Sequence, residues 1–383
     1  MQNQNWRFTG RVVVVVAVLI VGLTTVAMAQ SEDVHALLAA APKIATSVAG
    51  VHAFPSPAKG FNAMTASNRE LLTYGLPPRP DKSDAKAYGH WERAMLALKT
   101  HAADVKAKPY SSVNMKQAGT AAVANVDGTT AYSSFNWSGI AQTNKLKAWN
   151  KKTSFDEIVS VWNVPVSNHP FGNLPCSEGP WFEVTWNGID GFSNGDVVQG
   201  GSAEYWDDGG CGGPIEYYGW VEWYPSYSIL EIYCGSSPCA VGPGDDFEVI
   251  TFAAAGTAEQ FVFVEDVTQQ WSGTFGLTYI SGPGVVGSSA EYIVERPCCN
   301  GSNFYPLGNY VWEFFDDSFA YDVAGTLFYP GNAGATTAIV TMLADDGVTP
   351  ISYPLFYGTA GNQGRYSIWM TDANCAYSGG CTP

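Results

Sequence analysis

What most constrains this chain is its rhythm from Tyr132 onward: short runs of aromatic and β-branched residues, each closed by a glycine-rich turn, with no long amphipathic helix between them. Residues 155–166, 181–189, 217–224, 228–233, 246–254, 260–266, 273–280, 290–295, 338–342 and 365–370 each alternate or run apolar. Side chains along a strand point alternately to its two faces, so such runs each offer one face to a core. Many short strands at this spacing predict an antiparallel sandwich or barrel. About 250 residues is acceptable for one all-β domain. No internal repeat is visible, and the glycine-rich loops lack the strand-to-helix setting of a phosphate-binding loop.

The N-terminus reads differently. Arg7 and Arg11 precede a continuous apolar run over residues 12–23, and Ala27-Met28-Ala29 offers a small-x-small cleavage site before Gln30. This is the pattern of a secretory signal peptide over residues 1–29, too short for a membrane anchor. The expectation is an exported protein with no membrane partner. Residues 30–130 carry helical patches at 33–41 and 85–103, separated by proline-rich text such as Leu76-Pro77-Pro78-Arg79-Pro80. Residues 117–130 are small and polar and suit an accessible linker. Residues 30–130 therefore read as a propeptide, with a boundary somewhere in 117–134, and residues 131–383 as the mature β-sandwich unit.

Charge divides along the same line. Residues 30–130 hold eleven Lys and Arg against eight Asp and Glu, a charge of about +3. From Ala131 onward six basic residues face 27 acidic ones, a charge of −21. So acidic a surface argues against a nucleic-acid partner and suits work in acid, where protonation relieves self-repulsion. It also predicts that the basic segment binds the acidic unit as its own inhibitor and leaves as the carboxylates protonate.

Of five histidines only His169 follows Thr130, in a loop-like stretch. A Ser-His-Asp or Cys-His arrangement would have to use it, and a two-histidine zinc site is excluded there. The expected chemistry uses carboxylates and amides, with no metal and no cofactor. All eight cysteines lie after Thr130, and in an exported chain an even count reads as disulfides. Cys234 with Cys239 and Cys375 with Cys381 would close local loops, and Cys176 with Cys211 would staple a longer one. Adjacent Cys298 and Cys299 are expected to reach different partners.

Candidate site residues come from alternation. Glu291, Ile293 and Glu295 share one face of a strand, with Tyr292 and Val294 on the other. Tyr218, Trp220, Glu222 and Tyr224 form an aromatic face around one carboxylate. Trp186, Gly188 and Asp190 share a third face, where Gly188 permits close approach. Gln199 follows two valines and precedes two glycines, where the strand is expected to end.

These motifs carry a resemblance. Asn136-Trp137-Ser138-Gly139, Trp186-x-Gly188-Ile189-Asp190-Gly191, Gln199-x-Gly201, Trp220-x-Glu222-x-Tyr224-Pro225 and Ala290-Glu291-Tyr292-Ile293-Val294-Glu295 occur in the order found in the glutamic peptidases, or eqolisins. Gly60-Phe61-Asn62 and the stretch from Tyr74 to Pro80 resemble propeptide text of bacterial members. The resemblance implies a concanavalin A-like sandwich of two seven-stranded antiparallel sheets and a catalytic Gln/Glu dyad, carried over to Gln199 and Glu291. Trp137, Trp186, Asp190, Trp220, Glu222 and Tyr224 match other cleft, substrate-binding positions. Tyr292 stands where Trp is common, and residues 204–214 form an insertion. An ionised Glu would take a proton from water and return it to the departing amine, while the Gln amide donates to the forming oxyanion. The expected substrates are proteins and peptides, and the expected state is a monomer. The rival on the same sandwich is a glycoside hydrolase using Glu222 and Glu291, and a third reading is a non-catalytic carbohydrate-binding sandwich.

Overall fold

The computed structural model describes residues 34–118, 129–167, 179–206, 213–300, 303–310, 312–330, 336–359 and 366–372. Residues 1–29, His169, Cys176, Cys211, Cys375 and Cys381 lie outside them. The N-terminal part holds α1 (Val34–Ala40), β1 (Ile44–Ala45), β2 (Val51–Ala53), α2 (Asn68–Thr73), α3 (Ala85–Ala97), β3 (Thr100–His101) and β4 (Asp104–Ala107). Helix α2 starts at a capping box: the Glu70 N–H donates to Ser67 Oγ at 3.2 Å, and the Ser67 N–H donates back to Glu70 Oε2 at 2.7 Å. Two N–H groups at that helix end are thereby satisfied.

Strands follow in order: β5 (Thr129–Ser134), β6 (Trp137–Thr143), β7 (Phe155–Asn163), β8 (Trp181–Ile189), β9 (Val197–Trp206), β10 (Glu216–Tyr224), β11 (Leu230–Cys234) and β12 (Ser237–Pro238). Then come β13 (Asp246–Phe252), β14 (Glu259–Asp266), β15 (Trp271–Thr278), β16 (Ser289–Glu295), β17 (Cys298–Asn300), β18 (Asn303–Phe304) and β19 (Trp312–Asp322). The last are β20 (Leu327–Phe328), β21 (Thr336–Leu343), β22 (Pro350–Thr359) and β23 (Tyr366–Asp372).

They form two layers. The first runs β5-β21-β6-β16-β8-β9-β10-β11-β4 and the second β22-β23-β19-β7-β13-β14-β15-β2-β1. Pairing is antiparallel except for β5 with β21 and β3 with β15, which are parallel. Ile140, Ile189, Val198, Val221, Tyr292 and Val294 of the first layer meet Trp162, Phe247, Val249, Val262 and Val264 of the second in one core. The sandwich expected from the strand rhythm is therefore present.

The N-terminal part is built into both layers. Its β4 extends the first sheet beside β11, and β2 and β3 extend the second beside β15. Val51, Ala53, Ala102 and Val105 belong to the main core. Leu38, Phe54 and Leu72 cover the outer face of the second sheet, packing on Val159, Ile250, Phe252, Phe261 and Phe263. Around this apolar cover, Lys43 pairs with Glu259 at 3.1 Å, Lys86 with Asp316 at 2.8 Å and His90 with Glu248 at 3.3 Å. Cys234 is joined to Cys239, as their spacing suggests. Cys298 is joined to Cys299, where separate partners are expected from their adjacency.

Candidate active site

Register decides which side chains share the outer face of the first sheet. Across β6, β16, β8, β9 and β10, the residues Ala141, Glu291, Gly188, Gln199 and Glu222 stand in one cross-strand row. Ile293, Trp186, Gly201 and Trp220 make the next row of the same face, and Trp137, Glu295, Val184, Ala203 and Tyr218 another. Glycines open this face at Gly188 and Gly201. A Cβ on Gly188 would come within 2.9 Å of Gln199 Cβ and 3.1 Å of the Trp186 ring, and one on Gly201 would strike the Thr185 carbonyl. Gln199 and its two glycines therefore lie inside β9, not at a strand end. The glycines are there because neighbouring strands leave no room for a side chain.

The structure places Gln199 beside Glu222 and, through Ser112, beside Glu295. Ser112 Oγ lies within hydrogen-bond reach of both Gln199 Oε1, at 3.4 Å, and Glu295 Oε2. Glu295 Oε1 accepts from the Val113 N–H at 3.0 Å and Asn136 Nδ2 at 3.2 Å, and Oε2 accepts from Trp186 Nε1 at 3.0 Å. Gln199 Nε2 donates to Glu222 Oε2 at 3.0 Å, which fixes how the amide is turned. Glu291 is equally buried, and the groups that pull its pKa down are the Ser289 hydroxyl and the Phe192 N–H, not Ser112, Asn136 or Trp186. Strand alternation puts Glu291 and Glu295 on one face but cannot rank them; the donors gathered from β6, β8 and the segment around Ser112 do.

Burial dominates the titration of these acids. It pushes Glu295 up to about 8, against the pull of Ser112, Val113, Asn136 and Trp186. It raises Glu222 well above the ordinary carboxylate value, reinforced by the charge of Glu295 and opposed by Ser111, Gln199 and Ser112. Glu291 is raised by burial, with the charge of Asp190 adding to it. Desolvation disfavours the charged form of each acid.

The other candidates divide. Trp137 packs edge-on against Trp186 at 4.8 Å between ring centres and donates from Nε1 to the Val113 carbonyl at 2.9 Å. Tyr224 is half-buried near Glu222 and Glu295, whose charges help to raise its pKa after burial. Trp220 is fully buried, its Nε1 donating to the Ser202 carbonyl at 3.0 Å, so it floors the site. Asp190 has both oxygens engaged by the N–H groups of Val286, Gly287 and Ser288 at 2.6 to 2.9 Å. It braces the loop leading into β16 and does not face the Gln199–Glu295 pair.

What the sequence does not specify is which residues of the N-terminal part lie on this face. Residues 108–116 of the N-terminal part cross this face in an extended course. The Lys108 N–H donates to the Ile229 carbonyl at 2.8 Å, and the Ile229 N–H to the Tyr110 carbonyl at 3.0 Å. Ser111 and Cys298 exchange main-chain hydrogen bonds at 2.7 and 2.8 Å, and the Met115 N–H donates to the Gly191 carbonyl at 3.1 Å. Ser112 escapes sequence reasoning because a hydroxyl residue in the irregular stretch before the linker has no distinguishing pattern. Asn136 was signalled only as part of its motif.

A sequence profile of the Peptidase A4 family matches residues 135–349. No curated protein sequence matches the chain. Among solved structures, scytalido-glutamic peptidase with a peptide-based transition-state analogue is similar at 19% identity and a TM-score of 0.44, over 62% of this chain and 98% of that one. SCP-B, a member of the eqolisin family in complex with the tripeptide Ala-Ile-His, is similar at 17% identity and a TM-score of 0.43, over 62% and 98%. Aspergilloglutamic peptidase from Aspergillus niger is similar at 20% identity and a TM-score of 0.38, over 50% and 99%.

Proposed function

Since the chain belongs to the Peptidase A4 family and is a glutamic endopeptidase, we propose that it is exported as a zymogen and hydrolyses proteins in acid through Gln199 and Glu295. The observation that carries this reading is the single hydroxyl, Ser112 Oγ, held between Gln199 Oε1 and Glu295 Oε2. An oxygen bearing a hydrogen at that point is within reach of a base and of an amide, which is what a nucleophilic water requires. With residues 108–116 gone, Glu295 is re-solvated and keeps Trp186 and Asn136 as donors. Its pKa then returns toward the ordinary range of about 4.3, so it is ionised in mild acid and accepts a proton from the attacking water. The protonated Glu295 then donates to the departing amine. Gln199 Nε2 has one hydrogen engaged by Glu222 and a second free to donate to the carbonyl oxygen as it becomes negative. Glu222 acts through Gln199 and is a positioning residue.

Zymogen behaviour rests on residues 108–116 covering these groups and on the basic residues before them. Lys43, Lys86, His90 and Lys108 all pair with acids that follow Thr130. Export rests on residues 1–29 alone. The glycosidase pairing of Glu222 with Glu291 is disfavoured by register. Gln199 and Gly188 lie between them, so three strand spacings, about 14 Å, separate their backbones, and the charges that raise Glu291 and Glu222 come from Asp190 and Glu295, not from each other. The test is to incubate the acid-treated protein with a denatured protein and with β-glucans. Peptides from the first and nothing from the second are expected; sugar products, or no peptides, would overturn the reading.

A further inference from the structure

We propose that Phe182, Tyr205, Tyr218 and Tyr305 form the main specificity subsite, which takes a tyrosine or phenylalanine of the substrate two residues from the one that meets the dyad. This rests on the peptidase reading above and names its substrate class. The chain supplies its own probe of the cleft. Residues 108–116 are held by main-chain hydrogen bonds to Ile229, Cys298 and Gly191, the way any extended peptide can be held regardless of sequence. Selectivity must then come from side chains. Ser112 faces Gln199 and Glu295, and two residues earlier, on the same side of an extended chain, Tyr110 is 5% exposed.

Tyr110 is boxed by rings. Its centre lies 4.7 Å from Phe182, 5.4 Å from Tyr205 and 5.9 Å from Tyr305, with Phe182 and Tyr305 meeting it edge-on. Its hydroxyl lies 3.0 Å from the Tyr218 hydroxyl. The walls also brace each other, Phe182 standing 5.2 Å from Tyr205 and 5.5 Å from Tyr305. Edge-to-face rings at these spacings attract beyond simple burial. The box comes from β8, β9, β10 and the segment after β18, so it belongs to the part that remains when the N-terminal residues leave. An aliphatic side chain would fill it partially, and a carboxylate would be stripped of water and repelled by Glu216 and Glu231 nearby.

The test is cleavage-site profiling of a denatured protein mixture with the acid-activated full-length protein, read by mass spectrometry. The expected profile has aromatic residues enriched at one fixed position near the cut. A peptide pair differing by Tyr or Ala there should differ roughly 10- to 100-fold in kcat/KM, the effect of seating one aromatic side chain. Tyr205→Ala should shrink that ratio, and Tyr218→Phe should shift the balance between Tyr and Phe substrates. A synthetic peptide of residues 108–116 should inhibit, and its Tyr110→Ala form should inhibit more weakly. Cleavage with no aromatic position, or a Tyr/Ala ratio unchanged in both variants, overturns the subsite while leaving the peptidase reading standing. Absence of any cleavage overturns the peptidase reading itself.

Discussion

Glu295→Gln separates the catalytic role of this residue from its burial. With residues 108–116 in place, burial lifts Glu295 from 4.5 to about 8. Below pH 4.5 the folded and unfolded chains both hold the proton and the group contributes nothing to the pH dependence. Between 4.5 and 8 the unfolded chain loses its proton while the folded one keeps it, so stability falls as pH rises. At pH 7 the deficit is 2.5 units of pKa at ~1.4 kcal/mol each, about 3 kcal/mol. Glutamine cannot ionise, so the deficit vanishes. It also turns an NH₂ toward one of the donors now shared between the Asn136 and Trp186 sides, a fixed cost of about 1–3 kcal/mol at every pH. The variant should therefore be the less stable form at pH 4, and the gap should close by about 3 kcal/mol by pH 7. Urea unfolding at the two pH values measures this, with Gln199→Ala present in both chains to prevent self-digestion. Turnover of a denatured protein by the Glu295→Gln single variant should fall by on the order of 10²–10⁴, while Glu291→Gln keeps most of it. A pH slope identical in the two chains refutes the burial argument. A dead Glu291→Gln beside an active Glu295→Gln refutes the choice of base.

Gln199→Ala should lower kcat by on the order of 10²–10³ with little change in KM; a lowered Tm with near-normal turnover would make Gln199 structural. Gly201→Ala drives a Cβ into the Thr185 carbonyl and within 2.8 Å of Trp186 Cβ, and should cost about 1–3 kcal/mol in thermal or denaturant unfolding. Lys86→Ala removes the pairs with Asp316 and Asp317 and should speed loss of the N-terminal part by a few-fold, each half-exposed pair contributing up to about 1 kcal/mol. Acidifying precursor purified at neutral pH should yield a new N-terminus between residues 117 and 134 by mass spectrometry; full activity with the chain uncut would count against a zymogen.

Most strands could be read because their side chains alternate. Residues 181–189 were bounded correctly, and β7, β10, β13, β14, β15 and β16 came within a few residues. The failures have local causes. β19 carries register shifts around Asp316 and Phe319, and β22 one around Pro354, so period two breaks within each. β9 was cut short at Gly200 and Gly201, glycines that elsewhere mark a turn but here relieve contact with Thr185 and Val262. The site was legible as a face but not as a constellation. Which of two glutamates four residues apart lies beside Gln199 depends on Ser112, Asn136 and Trp186, contributed by three separate stretches of chain.

Net charge alone suggests that acid loosens the N-terminal part, but the buried acids it covers act with the opposite sign. Glu295 and Glu222 beneath residues 108–116, and Glu265 and Asp317 in the face near His90 and Lys86, are raised chiefly by burial. A carboxylate whose covered pKa exceeds its free pKa favours the covered state at low pH and loosens it as pH rises through the covered value. For Glu295 that window is 4.5 to about 8. Acid thus tightens the hold at Glu295 and Glu222, and β2, β3 and β4 remain hydrogen-bonded to both sheets. Protonation alone is therefore a weak release signal. Cutting the chain after residue 117 changes the balance, because the segment then gains the freedom of a separate molecule when it departs. The expected outcome is that acid alone leaves residues 108–116 in place and that a cut after residue 117 releases them, which the N-terminus read by mass spectrometry beside activity checks.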